Sequence, residues 1–139
     1  LRRFYMSYVA FLVVMSQLDT KKQARILIKR NEILIEPSKK KDKWILYTKV
    51  YSGDPMIPRS VRSCISTSGV FRWQHRGAYL KLDADTHSVF LTEEVEMERG
   101  KYLPFKHRIS DFAMVAEEWR EILQEFSDRD CVCSPYPSN

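Results

Sequence analysis

Cysteine is scarce: the 139 residues contain three, Cys64, Cys131 and Cys133. An odd count, with two of them in a C-x-C near the C-terminus, excludes a disulfide framework and makes a reducing compartment, the cytoplasm, the expectation. Glycine is scarce too, with four residues, and the sequence has no G-x-G-x-x-G, P-loop, G-x-S-x-G or H-E-x-x-H pattern. Nucleotide cradles, nucleophile elbows and zincin-type metal sites therefore have no anchor. The three histidines, His75, His87 and His107, are scattered and fall at loops or element ends. His107 with Cys131 and Cys133 offers three ligands, one short of a structural zinc site. No apolar run reaches the ~20 residues of a membrane span. The expectation is no catalytic residue, no metal and no cofactor.

What the chain does have is ordinary globular content: 44% apolar and 29% charged residues, with seven Tyr, seven Phe and three Trp. Its length fits one domain with one modest core. The net charge of +5 is unevenly divided. Residues 1–76 carry a balance of +11 and residues 77–139 a balance of −6. Such a basic half suits an acidic protein, nucleic acid, or the acidic half of another copy.

Residues 3–18 read as a helix that is apolar nearly all round. Phe4, Tyr8, Phe11, Leu12, Met15 and Leu18 recur at helical spacing, and Val9, Val13 and Val14 widen the stripe. Arg2-Arg3 ahead of this run resembles the start of a signal peptide, but no A-x-A cleavage site follows. A helix apolar on most of its circumference needs cover on more than one side, and the second side calls for a partner. Two short strands follow at Ile26–Ile28 and Ile33–Ile35, and a longer one at residues 43–52. In strict alternation Trp44, Leu46, Thr48 and Val50 share one face of the long strand, and Ile45, Tyr47, Lys49 and Tyr51 the other. Residues 59–73 read as a weak helix. A hairpin joins strands at 78–82 and 88–92, and a long helix carries Ile109, Phe112, Ala113, Ala116, Trp119, Leu123 and Phe126 on one face. The order α-β-β-β-α-β-β-α predicts an α+β fold, an antiparallel sheet with helices. Residues 1–127 form the single domain and 128–139 a flexible tail.

Asp83 with Asp85, and Glu93, Glu94, Glu96 and Glu98, fall on a hairpin turn and a strand edge, where nothing splits their pKa values for acid–base work. Arg25, Lys29, Arg30, Lys39, Lys40, Lys41 and Lys43 near Trp44 and Tyr47 would suit a single-strand binder. No RNA-recognition motif or G-x-x-G loop supports that reading.

Gly77-Ala78-Tyr79-Leu80-Lys81-Leu82-Asp83, Ser88-Val89-Phe90-Leu91-Thr92-Glu93, Ile109-Ser110-Asp111-Phe112 and Trp119-Arg120-Glu121-Ile122-Leu123 together resemble class I type III secretion chaperones, the Tir-chaperone family. The resemblance implies a non-enzymatic chaperone dimer that holds a secreted effector or gatekeeper protein in extended form. It departs from the family in its basic charge and weak second helix, which leaves homodimer and heterodimer with a second small chaperone both open. On this reading Phe4, Tyr8, Phe11, Ile45, Tyr47 and Tyr51 are the expected partner contacts. Val61, Ile65, Phe71, Trp73 and Tyr79 are the expected subunit interface. The alternative is a regulatory adaptor whose basic half binds an acidic protein, transcription machinery or nucleic acid.

Overall fold

The computed structural model describes residues 6–40, 42–53, 57–67, 78–96 and 100–133. Helix α1 spans Tyr8–Lys21, starting later than periodicity suggested. Ser7 sets the start: its side chain accepts from the Ala10 N–H at 3.1 Å, and its carbonyl accepts from Phe11 N at 3.0 Å. Lys22 ends the helix in the left-handed region, at φ 56°. Strands β1 (Ala24–Ile28) and β2 (Asn31–Pro37) form a tight hairpin around Lys29 and Arg30. Strand β3 (Lys43–Ser52) returns along β2, and helix α2 covers Arg59–Thr67. Strands β4 (Ala78–Asp83) and β5 (Ser88–Glu96) make the second hairpin, and α3 runs from Tyr102 to Cys133.

The five strands form one sheet in the order β1-β2-β3-β5-β4, every pairing antiparallel. The predicted fold class and element order are those observed. One sheet face carries Ala24, Ile26, Ile28, Ile33, Ile35, Leu46, Val89, Leu91 and Leu80, all buried. Helix α1 packs against β1, and α3 lies across β3 and β2. From α3 come Phe105, Ile109, Phe112, Ala113, Ala116 and Leu123, also buried, so the core is the layer between sheet and helices. Burial of a side chain such as Phe112 contributes about 1.5–3 kcal/mol. No helix among the described residues is long and apolar enough to cross a membrane.

Strict alternation fails in β3. Lys49 pairs with Phe90, but Tyr51, not Val50, pairs with Val89. This β-bulge inserts one extra residue and resets which side the chain faces. Tyr51 therefore lies on the helix side with buried Val89, and its hydroxyl meets Ser127 Oγ of α3 at 2.9 Å. The face expected for Tyr51, shared with Ile45 and Tyr47, is corrected on this ground.

Two further differences have simple causes. Strand β5 extends to Glu96, which pairs with Lys43 of β3, and Glu93 is buried on the helix face with its carboxylate 4.0 Å from Arg108; the solvated acidic edge expected there does not include it. Helix α3 passes Phe126 and reaches Cys133. The polar stretch after Phe126 is compatible with an exposed helix, and Gln124 donates to Asp128 one turn on at 2.9 Å.

Candidate protein-binding surface

Helix α1 buries Phe11, Val14 and Leu18 against the core and turns Tyr8, Val9, Leu12 and Val13 to solvent. Val9 is 69% exposed and Leu12 and Val13 close to half, so the outer side of the helix is as greasy as the inner. The helix N-terminus is held by an aromatic cluster. Phe11 meets Phe105 at 5.4 Å and Tyr102 at 5.3 Å between ring centroids, and Tyr8 stands edge-on to Tyr102 at 5.2 Å. The Tyr102 hydroxyl donates to the Met6 carbonyl at 2.8 Å. The exposed side chains thus sit on a fixed platform.

Beside α1 lies β1, an edge strand. The Arg25 backbone N–H donates to Gln17 Oε1 of α1 at 3.1 Å. That bond shows which way the strand's polar groups point: the Arg25 amide faces away from β2. On β1, Leu27 shares the outer sheet face with Arg25 and is 69% exposed.

The outer sheet face, opposite the helices, carries half-buried Leu34, Ile45, Tyr47 and Phe90, together with exposed Tyr79. The Tyr47 and Phe90 rings meet edge-on at 6.3 Å. Gln23 Nε2 donates to the Tyr47 hydroxyl at 3.1 Å, and that hydroxyl donates to Glu36 at 3.2 Å. Partial burial, with the Glu36 carboxylate alongside, pushes the Tyr47 phenol above its ordinary value.

The far end of the same hairpin is locked by polar contacts. Asn31, fully buried, donates to Glu117 at 2.8 Å and accepts from Arg120 Nε at 2.7 Å. Arg120 also donates to the Lys49 carbonyl at 2.5 Å, and Arg30 pairs with Glu117 at 3.2 Å. Burial pulls the Arg120 guanidinium below its usual value. Burial opposes ionisation of Glu117, but the bonds from Arg30 and Asn31 with the charges of Arg30 and Arg120 outweigh it and hold the carboxyl low. Every group is matched by another, so the network joins α3 to the β1–β2 and β3 strands instead of offering a reactive site.

No protein-family model and no curated protein matches this chain. Solved structures do. A chain from the crystal structure of the ExsC–ExsE complex superposes with a TM-score of 0.60 at 14% identity, over 85% of this chain and 97% of that one. A chain from the structure of the HopA1–SchA chaperone–effector complex gives 0.56 at 14% identity, over 75% and 79%. The fold is like that of these two chains, one of them from a chaperone–effector complex. At this identity the likeness concerns the chaperone-like backbone, and the surface of this chain has to be read from its own residues.

The residues expected at a partner surface separate into groups. Tyr8 is exposed on α1, and Ile45 and Tyr47 are half-buried on the outer sheet face. Phe11 is 2% exposed and Tyr51 faces α3, so both are occupied within this chain. Among the expected interface residues, Val61 is fully buried, Ile65 packs against the core and Tyr79 is exposed at the β4 edge. Helix α2 is tied down by Ser60, whose hydroxyl donates to the Phe126 carbonyl at 2.8 Å. Phe4, Phe71 and Trp73 lie outside the described residues. Gln17 and Leu27 were not among the expected partner contacts. Leu27 was detectable as an apolar residue on the polar side of an alternating strand; Gln17 had no signal.

Proposed function

We propose that this chain is a type III secretion chaperone, without catalysis of its own, that holds a segment of a secreted effector or gatekeeper protein. It works in the cytoplasm as a homodimer or as a heterodimer with a second small chaperone. The observation carrying this is the outer side of α1: Tyr8, Val9, Leu12 and Val13 exposed on a capped, well-anchored helix next to an edge strand. Isolated exposed apolar residues are common, but a contiguous set on one helix marks an interaction site. Edge strands accept an added strand, with main-chain bonds giving affinity and side-chain pockets giving selectivity. The neighbours in chaperone–effector complexes support the same reading. On this reading the subunit contact would use α2 and the β4 edge, and the surface that Ile65 and Tyr79 retain supports it.

The test pairs stability with capture. Leu12→Asp combined with Val13→Asp should leave the unfolding free energy within about 0.5 kcal/mol of the parent, as for surface changes. The same variant should lose the polypeptide that co-purifies with the parent in a fixed ratio. A parent chain that is monomeric by light scattering, stays soluble and recovers no polypeptide would overturn the proposal.

A further inference from the structure

Resting on that reading, we infer that the segment held at the α1–β1 edge is an extended stretch in which apolar and acidic residues alternate. Arg25 presents its N–H to Gln17, away from β2. In an antiparallel ladder, polar groups two residues apart point the same way, so Leu27 also turns its N–H and C=O outward. A strand laid along this edge pairs at Leu27, and the Gln17 amide marks where pairing stops. Its side chains must alternate between the two faces of the sheet.

One set of those side chains falls on the helix side. Val9, Val13 and Gln17 lie on one stripe of α1 at four-residue spacing, so the stripe that touches β1 at Gln17 leads away as exposed valine. That side takes apolar residues. The other set falls on the outer face beside Arg25 and Leu27. Between residues 19 and 32 the chain carries Lys21, Lys22, Arg25 and Lys29 against Asp19 and Glu32, with Arg30 already paired with Glu117 of α3. The Arg25–Glu32 pair, 3.6 Å apart with both side chains more than half exposed, is weak enough to exchange for an incoming carboxylate. Opposite charges across adjacent strands stabilise the pairing and like charges oppose it. The outer set is therefore acidic.

Fluorescence anisotropy with the full chain tests this, using labelled synthetic peptides of equal length that alternate Val–Glu, Val–Ser or Val–Lys. The expected order is Val–Glu tightest, about tenfold over Val–Ser, since two or three exposed charge pairs are worth about 1.4 kcal/mol together. Val–Lys should be weakest. Lys21→Glu, Lys22→Glu and Arg25→Glu combined should reverse the order, with a cooperative unfolding transition showing that the variant remains folded. If Val–Ser matches Val–Glu while Leu12→Asp/Val13→Asp abolishes both, the acidic inference falls and the chaperone reading stands. If no peptide binds, the inference falls, and capture of a native polypeptide decides the chaperone reading separately. Displacement of Val–Glu by an equal concentration of a single-stranded oligonucleotide, or by self-association of the chain, would also overturn it.

Discussion

Helices α1 and α3 lie on the same side of one sheet, yet α3 turns Asp111, Glu118, Glu121 and Glu125 to water while α1 turns Tyr8, Val9, Leu12 and Val13 to it. Helix α3 is also joined to the strands by the Asn31–Glu117–Arg120 network and the Tyr51–Ser127 bond. Helix α1 touches the sheet through apolar packing and the Gln17 contact to Arg25. The difference teaches that the two helices are held by different means: α3 by packing together with polar bonds to the strands, α1 chiefly by Phe11, Val14 and Leu18 in the core.

The comparison breaks if substitutions on the two helices cost alike. Phe112→Ala, in the layer between α3 and the sheet, should lower unfolding free energy by about 3–5 kcal/mol in a urea titration. Val13→Ala on the outer side of α1 should change it by less than about 0.5 kcal/mol; an equal loss would mean that α1 is as integral as α3. Asn31→Ala should cost about 1–3 kcal/mol in the same titration, because it leaves Glu117 and Arg120 each short of a partner.

The smallest effect is with pH. The Glu117 carboxyl is held below its ordinary value in the folded chain. Its contribution is therefore fully present above the unfolded value, near ~4.3, and is lost as pH falls through the folded value. The pair with Arg30 is largely exposed on the arginine side, so the loss is modest. Glu117→Gln should flatten the acid limb of a plot of unfolding midpoint against pH. An unchanged limb would remove the network from what distinguishes α3.

Much of this architecture was legible in the residues. The alternating apolar content of β3, the hairpin of β4 and β5, and the single-faced stripe of α3 each specify an element by period alone. The all-round apolar character of α1 correctly signalled surface left over after packing. Periodicity could not locate the Ser7 cap, since a cap depends on one side chain and not on a repeat. It could not foresee the bulge, because an inserted residue leaves composition untouched while changing parity. Burial of Glu93 was likewise hidden, since its strand partners are set by register and its neighbour Arg108 comes from a distant helix.

The extra residue at Val50 makes the length of β3 negotiable. A related chain one residue shorter at this point would still set its tyrosine opposite Val89 and within reach of α3, losing only one buried valine and some local bend. When such sequences are aligned, a one-residue gap here would therefore be no sign of a changed surface, and odd–even counting should restart at Tyr51.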